Sequence, residues 1–515
     1  MPRTGRQSAS RSGAPRHGIG GLRPTAPMAR PGARGADVGA DGPSASVSRA
    51  RMPGDRAHGM TPRASSGDEN ARLHDYENGV KARFDGIVPV LKEISALQHE
   101  RDFESRAQSM ARERLGFELP EDILADAWVD QLDMRRLFAW SVFATYRNYC
   151  DEFHAHQPLA TGDEARFEQF LQDCGFHTLD MSPCADGRLA HVIRYVLRLP
   201  QSVVRRRSHA GAMFDVENSL AKWVEVEMRR HREGVPNTAD APTRYLKSVV
   251  YHYSSVDPEH QGCAAHGSDT AKAAAAGLSR LEDFRTAVEN SFCCGASIDL
   301  LLIGLDTDTD AIRVHLPDGE GRIDLARFTD ANDLGPRPTE SSIEGTLKAA
   351  NPGSAAGMVR FAAHLLANNL HQVEYVRRYH GENYADIGHA ERFIGAGVGF
   401  EEVQLRNLMY FAYMNTVEEA TADLDVGVKI FTGLNVSHGL PIPVVIRYDH
   451  HGSVPGARDR AAAHCDRVAE AMHGRYAELS AKGLLHTLQV TRDCDGDGPL
   501  ELLGCSVQPE TAGAH

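Results

Sequence analysis

Lysine and aromatic residues are missing from the first 70 residues, and no apolar stretch anywhere reaches membrane-spanning length. The longest apolar run, near Leu300-Leu301-Leu302-Ile303, is far too short to cross a bilayer. A secretory leader with a continuous apolar core is also lacking. Cysteines number nine in 515 residues, an odd count without the spacing of a small disulfide scaffold. These absences point to a soluble intracellular protein with at least some reduced thiols.

Charge is unevenly spread. Residues 1–70 carry eleven Arg against five acids, a net +6, whereas the remainder carries 45 basic against 65 acidic residues, a net −20. The first segment is dense in Gly, Pro, Ser and Ala. It cannot bury enough apolar surface to offset its ordering entropy, so 1–70 is expected to be a disordered basic arm. Three readings of that arm stay open. One is a solvated tail, with Met52 or Met60 as alternative starts. Another is an Arg- and Ser-rich organellar leader without a clear amphipathic helix. The third is an interaction arm holding an acidic surface through scattered Arg.

A chain this long exceeds one core, so two or three folded domains are expected. From about 70 to 153 apolar residues recur at helical steps, as in Val80, Phe84, Ile87, Val88, Leu91 and Ile94. Pro120-Glu121-Asp122 reads as a helix start. Between about 165 and 395 short apolar runs alternate with helical stretches, an α/β texture. Strands are expected at 175–181, 245–251 and 298–305. After about 396 a helix is expected around Glu402–Met414 and a strand at Asp425–Phe431. That strand faintly echoes Asp308–Val314 and hints at an internal duplication.

Cys184-Ala185-Asp186-Gly187-Arg188 carries the most chemistry. It follows the first expected strand, and His252 ends the second, with Cys263 in a loop beyond. Two thiolates and an imidazole form a three-ligand zinc set that leaves a fourth tetrahedral position for water. Such a centre has no formal net charge, so its water is harder to ionise than at zinc with three imidazoles. Asp186 is suited to accept a hydrogen bond from that water and aim its lone pair. Arg188, a planar cation, would hold the carboxylate off the metal in a bidentate pair. Gly187 between them permits a tight turn. The residues read as a hydrolytic or hydration enzyme; a structural zinc site missing its fourth ligand is the competing reading.

With its later His and Cys, the pentapeptide resembles the β-class carbonic anhydrases. The resemblance is closer to a divergent branch, the carboxysome shell carbonic anhydrases. It runs through Asp173–His177, Arg232–Asp240, Cys293–Asp299, Gly304–Ala311 and Asp386–Arg392, covering roughly 75–510. One departure from ordinary β-class enzymes is that ten residues separate His252 from Cys263, where two is usual. The resemblance implies one Zn2+ per chain on Cys184, His252 and Cys263, with Asp186 and Arg188 as the catalytic dyad. It implies an α/β fold with a helical N-terminal domain (71–160), a zinc domain like that of β-carbonic anhydrases (161–395) and a degenerate C-terminal copy (396–515). It further implies reversible hydration of CO2 to bicarbonate, in a homodimer or larger oligomer. The setting would be a carboxysome, with Rubisco or shell proteins as partners and neither membrane nor nucleic acid involved.

His389, His177 and His266 are candidate proton shuttles, His389 foremost, because imidazole titrates near neutrality. Cys293 and Cys294 read as core thiols, Cys174 and Cys184 as an unsupported redox pair. Arg205-Arg206-Arg207 reads as a solvated face, with an anion site for a sugar phosphate as the alternative. Two other functions compete: the same site turned to carbon disulfide or carbonyl sulfide, and a scaffold protein whose zinc is structural.

Overall fold

The computed structural model describes residues 67–153 and 163–507, apart from 239, 293–296, 336–337, 403, 415–416 and 497. The arm expected over 1–70 lies outside the described residues as far as 66, and so does the Cys293–Cys294 pair. Five helices come first: α1 (Gly67–Asp85), α2 (Ile87–Ala96), α3 (Phe103–Arg114), α4 (Glu121–Asp126) and α5 (Met134–Phe153). Their apolar positions recur every three or four residues, so each buries one stripe in a shared core.

The next segment builds a six-stranded sheet. Its strands are β1 (Thr178–Pro183), β2 (Val204–Arg206), β3 (Arg244–Tyr253), β4 (Ser297–Asp306), β5 (Ile312–His315) and β6 (Thr329–Asp330). They lie in the order β2-β1-β3-β4-β5-β6; the first four run parallel and the last two antiparallel. Helices α6 (Glu164–Asp173), α7 (Val216–Arg232), α8 (Thr270–Phe292), α9 (Glu340–Ala350) and α10 (Ala356–His380) share its core. Leu300 to Ile303 on β4 are buried throughout, as an interior strand covered on both faces requires.

A second sheet follows, formed by β7 (Phe393–Val398), β8 (Met409–Tyr413), β9 (Ile442–Tyr448), β10 (Leu485–Thr491) and β11 (Glu501–Cys505). Helices α11 (Val417–Leu434), α12 (Ala457–Arg475) and α13 (Ala477–Ala481) belong to the same stretch. Read from β8, the order is β8-β7-β9-β10-β11, four parallel strands and one antiparallel. The first sheet has the same order from β2 through β5, so the chain repeats one topology. The register extends the match: Pro183 pairs with Val250 and Val398 with Tyr448. One step on, Gly399 stands where Cys184 does, and two steps on, His450 stands where His252 does. The second copy has no sulfur at the corresponding place.

The sequence echo offered for that duplication is wrong in detail. Asp425–Phe431 lies inside α11, and the 308–310 stretch is a turn before β5. β-branched residues mislead there, because packing against the sheet overrides strand propensity. Glu402–Met414 is likewise a loop and then β8 rather than a helix. Arg205-Arg206-Arg207 is no solvated face either: Arg207 is 4% exposed, and Arg206 donates to the carbonyls of Leu189 and Ala190.

Side chains on the second sheet alternate between two cores. Phe393, Met409, Phe411, Val445, Leu488 and Val490 face the N-terminal helices, while Ile394, Ala396, Tyr410, Val444 and Ile446 face α11 and α12. A buried ion network pins the helical face. Arg447 forms a fork on Glu402 at 2.6 and 3.0 Å and also bonds Asp449, and Arg492 joins Glu402 from the other side. The Tyr149 hydroxyl donates to the Glu402 carbonyl from α5. Arg447→Ala strands buried carboxylate charge, so stability should fall by about 3 kcal/mol, read as a lower denaturation midpoint. An unchanged midpoint would show the network to be dispensable.

Candidate metal centre

Cys184 continues β1 by one residue, its N–H donating to the Val250 carbonyl of β3 at 3.2 Å. His252 lies near the end of β3, and Cys263 comes back from the loop that follows. The three are 4%, 0% and 3% exposed. One ligand atom from each lies within 4.8 Å of the others, and the two sulfurs are 4.0 Å apart. Open parallel sheets place sites beyond the carboxyl ends of their strands, and this cluster sits there.

Both ring nitrogens of His252 are buried without a hydrogen-bond partner. Leaving a buried polar atom unsatisfied costs about 1–3 kcal/mol, so the site is built for something that accepts a nitrogen lone pair. Neighbouring Cys263 and burial push the Cys184 thiol well up, whereas the hydrogen bond with Cys184 draws Cys263 down. Two sulfurs this close oppose ionising together, a penalty that a cation between them removes. Two soft sulfurs and an imidazole are donors that suit a transition-type divalent ion.

Asp186 caps the short turn Gly187–Leu189 and faces the cluster, its Oδ2 3.5 Å from His252 Nε2. Arg188 grips it with Nε on Oδ1 at 2.9 Å and Nη2 on Oδ2 at 2.7 Å. The remaining donors of Arg188 go to the carbonyls of Gln261, Gly262 and Ile387. One guanidinium therefore ties the carboxylate to the loop that carries Cys263. Burial opposes ionisation of Asp186, but Arg188, His389 and His252 together outweigh it and hold the carboxyl well below its usual range.

Gly187 is required for a reason other than the expected one. Its φ is not left-handed, but a Cβ there would collide with the Glu391 side chain. Glu391 is buried and accepts from Gly187 N–H and from His389 Nδ1, each at 3.0 Å. His389 Nε2 lies 3.8 Å from Asp186 Oδ2, and the side chain is 21% exposed, so the imidazole reaches from the carboxylate toward solvent. Burial opposes its charge, yet Asp186 and Glu391 prevail and raise it to about 9.

Of the other two candidate shuttles, one lies far from the cluster and the other beside its sulfur side. His177 precedes β1 at the opposite end from Cys184, about 20 Å away at strand rise, where it accepts from Arg244 N–H. His266 braces the Gly211 carbonyl at 3.2 Å. Cys174 also sits beyond the far end of β1, too distant to pair with Cys184. Glu391 and the Gln261 carbonyl were not singled out from sequence. Glu391 lies inside the Asp386–Arg392 motif, which was its only signal.

A buried Cys-His-Cys cluster beside an arginine-clamped carboxylate, at the ends of parallel strands of a repeated α/β unit, is compatible with a metal ion in an enzyme of the metal-assisted class. Three family models match the chain: the carboxysome shell carbonic anhydrase N-terminal domain over 64–154, its catalytic domain over 166–389 and its C-terminal domain over 390–507. A carboxysome shell carbonic anhydrase of Parasynechococcus marenigrum (strain WH8102) is 54% identical over 97% of this chain and 88% of its own. One from Prochlorococcus marinus (strain MIT 9313) is 56% identical over 89% and 91%, and one from Halothiobacillus neapolitanus 45% over 84% and 88%. The chain belongs to the carboxysome shell carbonic anhydrase family.

Proposed function

We propose that this chain hydrates CO2 reversibly to bicarbonate in a carboxysome, with one zinc ion held by Cys184, His252 and Cys263. The observation that carries the reading is the unsatisfied His252 imidazole facing two buried sulfurs, with the clamped Asp186 carboxylate alongside. When bound, zinc supplies the Lewis acidity that makes water a nucleophile near neutral pH.

The chain's own groups do the rest. Asp186 accepts a hydrogen bond from the reacting water and orients it toward CO2, and Arg188 keeps the carboxylate from taking a coordination place itself. His389, beside Asp186, passes protons between the reacting water and solvent. Its raised proton affinity suits the dehydration direction, which consumes a proton to release CO2. That direction would feed Rubisco in the same compartment. Homo-oligomeric assembly and docking to Rubisco or shell proteins through the basic arm belong to the same proposal. No helix among the described residues is long and apolar enough to cross a membrane.

Metal analysis of the purified protein should find one zinc per chain, with CO2 hydration seen by stopped flow and lost on chelation. Zinc without hydration would return the site to a structural role. Faster turnover of carbon disulfide or carbonyl sulfide would reassign the substrate.

A further inference from the structure

Cys184 Sγ accepts a hydrogen bond from the backbone N–H of Gly211 at 3.2 Å. That N–H is presented by a costly turn: Gly211 has φ 63° and Ala212 φ 60°. A left-handed alanine costs about 1–2 kcal/mol, so neighbouring contacts must hold the turn in place. One side is held by the sheet, where His209 N–H donates to Pro183 O and Ala185 N–H to His209 O. The other side is held from the second copy. Asp423, on α11 and 5% exposed, accepts from Ala210 N–H at 2.6 Å and from His209 Nδ1 at 2.9 Å. Its own carbonyl is fixed by the Tyr410 hydroxyl at 2.9 Å.

We infer that Asp423 is a positioning residue for the metal centre: through His209 and Ala210 it aims the Gly211 N–H at the Cys184 sulfur. The inference rests on the zinc reading of Cys184, His252 and Cys263. A thiolate ligand in a dry site carries charge that a fixed N–H compensates, and outer partners of this kind commonly change metal affinity 10- to 100-fold. The second copy, without a sulfur ligand of its own at the corresponding place, thus tunes the centre of the first.

The test uses full-length protein loaded with cobalt(II), whose thiolate charge-transfer band reports electron density on sulfur. Asp423→Ala should weaken cobalt and zinc binding in chelator competition by roughly 10- to 100-fold and shift the band to lower energy. The thermal midpoint of the metal-free protein, measured alongside, separates this from general loosening. If Asp423→Ala does not fold, Asp423→Asn serves: it can keep the Ala210 bond while losing the charge facing His209, and should move both readouts in the same direction by less. An affinity change within about twofold, or a band that stays put in a folded variant, overturns the inference. If the unaltered protein binds no cobalt, the metal reading itself fails, and that outcome is distinct from an unaffected variant.

Discussion

Asp186→Ala is expected to keep its metal and lose turnover by roughly 10²- to 10⁴-fold, the usual contribution of a positioned acid–base group. None of the three ligands depends on this carboxylate, so zinc content should stay near that of the unaltered protein. Arg188 also retains three carbonyl partners, on Gln261, Gly262 and Ile387, so the Cys263 loop keeps its anchor. The guanidinium does lose its counter-charge while fully buried, and some fall in thermal midpoint should accompany the loss of rate. The decisive comparison is rate per bound zinc. If that ratio were unchanged, Asp186 would have no part in the chemistry and the dyad would be structural.

Cys184→Ala should abolish metal binding and hydration together. Removing one of three protein ligands leaves an imidazole and a single sulfur, too few to hold zinc against a chelator at neutral pH. The substitution also deletes the acceptor for the Gly211 N–H, so the 209–212 turn loses its inner contact. Zinc analysis with hydration assays over added zinc checks this. Partial rescue at high zinc is compatible with a weakened centre, whereas full activity without bound metal would exclude Cys184 as a ligand. A Cys263→Ala variant should behave alike, because both sulfurs face the same point.

The grouping of thiol, carboxylate and guanidinium was legible in the chain because Cys184, Asp186 and Arg188 fall within five residues. The preference of open α/β sheets for sites at strand ends placed the group, and the family resemblance supplied the roles expected of it. His252 and Cys263 were readable for the same reason, as polar residues closing or following a β-branched run. What escaped came from far along the chain. Asp423 reaches the site over more than two hundred residues, and no periodicity reports that an acid on α11 will meet His209. Glu391 was visible as part of a motif, but its bond to Gly187 appears only once the two sheets are joined. The α11 error has a related cause: Val426, Val428 and Ile430 alternate like a strand, yet they sit on a helix against the second sheet.

The backbone seam between the copies carries a consequence for any attempt to divide the protein. Phe411 N–H donates to Ala185 O, Tyr413 N–H to Ser208 O and Asn407 N–H to Gly187 O. The carbonyls on either side of Asp186 are thereby capped by amides from the far half of the chain. A fragment ending at residue 389 would bare those carbonyls to water and take Glu391 away from Gly187. Joined in one polypeptide, the second copy stays at a high local concentration beside the first, so the first never has to find a separate partner to complete its own wall.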